Sequence, residues 1–158
     1  MEPYFVAKWL HILSSTVIFG TGIGTAFQMV MAMRTGRTET VHSVASNVVL
    51  ADWLFTTPAG IVQPLTGLWL VSILGLDLTA RWLVLTYALY VLAFLCWAPV
   101  VRLQIRIRDL AAEALASGAP LPAEAHRLYR IWFLLGWPAF LALTVVFYLM
   151  VAKPALQF

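Results

Sequence analysis

Four apolar stretches, each long enough to cross a bilayer, account for nearly all of this sequence, and they leave it one architecture. A membrane-spanning helix needs roughly 20 mostly apolar residues, and such stretches run over about residues 4–33, 44–74, 80–116 and 124–152. The chain is 62% hydrophobic and 11% charged, too little charge for the surface of a soluble domain of this size. Hydrocarbon offers no partner to a backbone N–H or C=O, so the stretches must bond internally as helices. The expected fold is an all-α integral membrane protein, a four-helix transmembrane bundle forming a single domain over residues 1–158. Arg34-Thr35-Gly36-Arg37, Gly75 to Thr79 and Gly118 to Pro122 supply the turns. They leave no room for a soluble catalytic domain, so any chemistry belongs inside the helices or at their rims. The first stretch lacks a basic leader and a small-residue cleavage site, and reads as a retained helix rather than a signal peptide.

The basic residues are lopsided. Arg34, Arg37, Arg102, Arg106, Arg108, Arg127 and Arg130 cluster on the first and third connections and their flanks, against Lys8, Arg81 and Lys153 on the other side. The positive-inside rule then places both termini outside and the arginine-rich loops in the cytoplasm. The net charge of +3 thus reports topology and gives no reason to expect a nucleic acid partner. Trp9, Trp69 and Trp82 fall where an outer aromatic belt belongs, and Trp132 where an inner one does. Cys96 is the only cysteine, which excludes an intrachain disulfide and a cysteine-rich metal site.

His11 is the residue that asks for a function. An ionisable side chain at hydrocarbon depth is costly and ordinarily faces the bundle interior. It lies roughly 10 Å below the start of its helix at 1.5 Å per residue. Lys8, three residues earlier, shares its face and can snorkel outward. Ser14 and Ser15 follow closely enough to orient the imidazole or satisfy backbone carbonyls. His11 therefore reads as a haem ligand, a proton carrier, or a neutral side chain hydrogen-bonded to a neighbouring helix. Lys8, Arg81 and Lys153 come from three helices at one rim. They are snorkelling anchors or a basic ring able to hold porphyrin carboxylates.

Asp52 needs a partner if it is buried as a charge, with Arg102 the first choice and Arg130 the second. Its alternative role is a proton relay. His42 and His126 open the second and fourth stretches as interfacial histidines, with a second haem between them a remote option. Thr16, Gly20 and Gly24 recur at four-residue spacing, a pattern that permits close helix approach or clears space for a flat cofactor. Pro58, Pro64, Pro99 and Pro138 each remove a helical bond and favour kinks. Thr56, Thr57 and Gln63 could satisfy some of the freed carbonyls. No H-E-x-x-H, phosphate loop or dinucleotide turn occurs.

Several motifs resemble those of a bacterial integral membrane family known as domain of unknown function 2269. They are Lys8-Trp9-Leu10-His11-Ile12 with Ser14 to Gly22, Ala51-Asp52-Trp53 through Thr57-Pro58-Ala59, and Gln63-Pro64-Leu65-Thr66-Gly67. Leu103 to Leu110 and Tyr129-Arg130-Ile131-Trp132-Phe133 with Gly136-Trp137-Pro138 complete the set. More distantly, Lys8 to Ile12, Pro58-Ala59, Ala80-Arg81, Tyr129-Arg130 and Val151-Ala152-Lys153-Pro154 are similar in order to the HemJ type of protoporphyrinogen oxidase, a four-helix membrane protein carrying haem b. That resemblance implies His11 as haem ligand and Lys8, Arg81 and Lys153 as partners of the porphyrin carboxylates. Phe94-Leu95-Cys96-Trp97 stands where the HemJ type has a Tyr-His pair, so a second axial ligand is not implied. The expectation is a haem-b-binding protein of a bacterial inner membrane with a redox role, in electron transfer or porphyrin oxidation. The alternative is a non-enzymatic bundle, acting as a transporter or as a subunit of a membrane complex or homo-oligomer.

Overall fold

The structure, a computed structural model, describes residues 2–153; Pro154 of the final motif lies outside the described residues. Those residues are all-helical, with α1 (Pro3–Thr35), α2 (Thr38–Ala51), a wide-turn π segment (Asp52–Thr56), α3 (Thr57–Leu74), α4 (Arg81–Ala116) and α5 (Ala123–Ala152). The helix α1, the run Thr38–Leu74, α4 and α5 are each long and apolar enough to span a membrane.

Local chemistry fixes the ends. Pro3 occupies the first turn of α1, where its missing N–H costs nothing. Gly36 and Gly75 close α1 and α3 in the left-handed region, at φ 65° and 59°. At Gly75 the following amide, that of Leu76, reaches back to Val71 O at 3.1 Å, completing a Schellman stop. The turn beyond is held by Asp77, whose Oδ1 accepts from the Thr79 amide at 2.8 Å and hydroxyl at 2.7 Å. The second span starts at Thr38, ahead of the apolar run, because Thr38 to His42 form a polar first turn that continues the helix outward.

The π segment was not foreseen. Its Thr57 amide bonds Asp52 O, five residues back, and Pro58 follows directly. Proline has no amide to offer and its ring crowds the carbonyl four residues earlier; one wide turn resolves both at the helix junction. The expected kink at Pro58 is thus a change of helical register.

The second span changes neighbours at this turn. α2 packs against α4 and also against α1, whereas α3 packs against α1, and α4 runs along α5. Met29 and Met33 of α1, Val41 and Val48 of α2, Ile107 of α4 and Trp132 of α5 close a buried core at the arginine-rich end. Trp132 is therefore a core residue and not the interfacial aromatic its position suggested. Arg106 ties α4 to the start of α5 through Glu124 at 3.4 Å. Towards the middle of the bundle α1 and α5 meet chiefly through aromatic rings, Phe19 stacking on Phe140 and meeting Phe147 edge-on, both at 5.2 Å. Large apolar side chains cover the outside, as a lipid-facing surface requires.

The glycine stripe of α1 does not pack. A Cβ at Gly20, Gly22 or Gly24 would meet nothing within 4 Å, so close helix approach at this stripe is overturned. The glycine that admits a close neighbour is Gly67 of α3, where a Cβ would meet His11 Cε1 at 3.1 Å, against 4.0 Å to Tyr90 Oη at Gly60.

Candidate functional site

His11 turns inward and locks α1 to α3. Its Nδ1 lies 3.1 Å from Gln63 O and 3.0 Å from Thr66 Oγ1, and Gln63 Nε2 lies 3.2 Å from His11 Nε2. The Ser14 hydroxyl donates to Gln63 Oε1, which leaves the carboxamide nitrogen facing the ring. Thr66 donates its own proton to Val62 O at 2.8 Å. One assignment satisfies every member: a neutral imidazole protonated at Nδ1, donating to Gln63 O and accepting at Nε2 from the Gln63 amide. Three-residue spacing along α1 (His11, Ser14) and α3 (Gln63, Thr66) sets these four side chains on facing stripes. Ser15 takes no part; its hydroxyl donates to Ile12 O at 2.8 Å.

Lys8 is exposed with Nζ 5.5 Å from the centre of the Tyr4 ring. Arg81 opens α4, and Lys153 follows α5 in the left-handed region at φ 40°. All three mark the same end of the bundle, as expected for helices of alternating direction. An iron porphyrin bound through His11 would need Nε2 open to the metal and a slot beside the ring. Nε2 instead faces the Gln63 amide, and the ring edge rests on Gly67. The residues as arranged do not fit that group. His42 is half-buried on α2, while His126 Nδ1 lies 3.3 Å from Pro122 O. A small pocket at the arginine-rich end is lined by His126 but not His42. The described residues hold no cluster of three or more His, Cys, Asp or Glu suited to a metal.

A second site lies elsewhere. A cavity of about 750 Å3 opens between α1, the π segment, the start of α3, α4 and α5. None of His11, Lys8, Arg81, Lys153, Ser14 or Ser15 lines it. Its walls are chiefly aromatic and aliphatic, with one polar corner where Thr56, Trp97 and Gln104 surround the Asp52 carboxyl. Asp52 is 5% exposed and Gln104 3%. Close as these groups are, Asp52 Oδ2, Thr56 Oγ1, Trp97 Nε1, Gln104 Oε1 and the nearby Trp132 Nε1 are all buried without a completed hydrogen bond. Buried polar atoms are ordinarily paired, and one left unpaired costs about 1–3 kcal/mol, so this corner, where Thr56, Gln104 and Trp97 gather on Asp52, is the candidate site. The cavity also reaches the bilayer, since Phe27 and Phe94 in its wall are 65% and 55% exposed. The expected Asp52–Arg102 pair is not formed. Arg102 is exposed, and among the described residues no ion pair reaches Asp52. Gln104 was the missed signal: it is a carboxamide in the same helix, near the expected depth of Asp52.

These features define a four-span integral membrane protein with a polar cluster in its helix interface and a lipid-accessible cavity. The model of the predicted integral membrane protein family DUF2269 matches residues 5–154, and the chain belongs to that family. No curated protein and no solved structure matches it.

Proposed function

We propose that this protein takes up a lipophilic small molecule from the bilayer into the cavity between its helices, in the manner of a transporter or membrane carrier. The observation that carries this reading is the corner of buried, unpartnered polar atoms at one end of an aromatic cavity. Pockets for small molecules combine this mostly apolar lining with a few converging polar groups. An amphipathic occupant would seat its apolar body on the aromatic walls and its polar group on the Asp52 corner. The His11–Gln63 lock would hold α1 to α3 while the far side of α1 stays free to line the cavity.

The neutral fluorophore N-phenyl-1-naphthylamine tests the reading. Trp97, Trp132 and Trp137 line the cavity, so a bound probe accepts energy from them. The expected result is a saturable component of energy transfer in wild type that disappears in the cavity-filling variant Ala93→Phe, leaving only the non-saturable transfer to probe dissolved in the lipid. Equal transfer in both would remove the cavity as the binding site.

The haem reading that the HemJ resemblance implies is the second proposal. It is favoured by the Nδ1 contact with Gln63 O at 3.1 Å, since metal-bound histidines are commonly oriented by their other nitrogen donating to a carbonyl. It requires the Gln63 side chain to leave Nε2. A Soret band in protein from a haem-supplied host, lost in His11→Ala and retained in His42→Ala, would support it; a colourless protein would dismiss it.

A further inference from the structure

Granted that the cavity is a ligand site, on which this inference rests, its wall also selects by charge. Among the described residues, Asp52 is the only carboxyl group in the wall. α1, α3 and α5 bring no titratable side chain there, and α4 brings only Tyr90, whose hydroxyl donates to Gly60 O at 2.8 Å. No lysine, arginine or histidine among the described residues lines the cavity. A carboxylate in so apolar a setting needs a counter-charge, and these residues supply none. Two further unpartnered oxygens, Thr56 Oγ1 and Gln104 Oε1, can accept at the same corner. Around it stand the rings of Trp97, Trp132, Phe94 and Phe133, and aromatic faces attract cations through their quadrupole.

We propose that the cavity binds a lipophilic organic cation with Asp52 as its counter-charge, and that binding is exchanged for a proton. The exchange starts from Asp52 as the neutral acid, since the wall offers its carboxylate no counter-charge. When the cation enters, the O–H bond breaks, the proton leaves to water, and the carboxylate pairs with the cation, so that total charge is conserved. An anion would face Asp52 with no compensating cation in the wall. A neutral molecule would fill the apolar volume and leave the carboxyl protonated.

Tetraphenylphosphonium and tetraphenylborate have the same shape and opposite charge, and ion-selective electrodes read the free concentration of each. Binding is measured in nanodiscs of phosphatidylcholine against empty nanodiscs. The expected result is saturable binding of the phosphonium, tightening about tenfold per pH unit while one proton is displaced per cation, and no binding of the borate above the lipid background. Asp52→Asn should weaken the phosphonium at least tenfold and abolish its pH dependence, and Asp52→Glu should restore both. The neutral naphthylamine checks that each variant keeps its cavity, and the pH slope of wild type needs no variant at all. Equal binding of both ions, a flat pH profile, or an unchanged Asp52→Asn would overturn the cation proposal while leaving the cavity reading intact. Failure of the naphthylamine and of both ions together would overturn the cavity reading as well.

Discussion

Removing the side chain of Gln63 tests whether His11 belongs to a structural lock. The carboxamide makes two contacts across the α1–α3 interface, accepting from Ser14 and donating to His11 Nε2 at 3.2 Å. Hydrogen bonds between helices in a membrane are worth about 0.6 kcal/mol on average and reach about 1.7, so Gln63→Ala should destabilise by about 1 to 3 kcal/mol. His11→Ala removes the other half of the second bond and leaves Gln63 Nε2 facing empty space. Once both side chains are gone, neither is left unpaired. The double variant should therefore be less unstable than the sum of the singles, with a coupling of about 0.6 to 1.7 kcal/mol. The measurement is a double-mutant cycle by SDS titration in mixed micelles, followed by far-UV circular dichroism. Coupling below about 0.5 kcal/mol, the scatter expected of independent sites, would refute the reasoning. His11 would then be reporting on something other than its contact with Gln63.

Gly67→Ala should destabilise, since its Cβ meets His11 at 3.1 Å, whereas Gly20→Ala and Gly24→Ala should be neutral or stabilise by up to about 1 kcal/mol through helix propensity; the same SDS titration ranks them, and the reverse order would contradict the packing. Thr79 holds the Asp77 carboxyl below the usual carboxylate range through hydroxyl and amide hydrogen bonds. The stabilisation is present above the unfolded value of about 3.9 and is lost as pH falls through the lower folded value, so the gap in thermal stability between wild type and Asp77→Ala should close in acid and persist at neutral pH. Arg106→Ala breaks exposed ties to Glu113 and Glu124 and should cost no more than about 1 kcal/mol, with the difference shrinking in high salt.

The spans were legible because hydrocarbon leaves a backbone so few options. The inward turn of His11 was legible too, since a short ionisable side chain at that depth has nowhere else to go. Its partners were harder to see. Gln63 read as a group able to satisfy carbonyls freed by proline, because nothing in an almost uniformly apolar helix declares which stripe faces α1. The same ambiguity misdirected Asp52 towards Arg102. Charge complementarity named a pair, but Arg102 turns outward on α4 while Gln104, two positions on, turns in. The glycine stripe failed for a related reason: spacing allows close approach but does not supply a neighbouring helix, and α1 faces a cavity beside Gly22. The π segment left only Pro58 as a trace, and a proline in a membrane helix can be absorbed in several ways.

That wide turn has a consequence for how the second span evolves. One extra residue in a helical turn advances every later side chain by about 100° around the axis. α2 and α3 are thus two gears on one shaft, clocked separately: one meshes with α4 as well as α1, the other with α1. Deleting a single residue between Asp52 and Thr56 would leave the length of the span nearly unchanged while putting one gear out of mesh. Either the Gln63–His11 contact or the seating of α2 on α4 would be lost, though neither lies within the deleted turn.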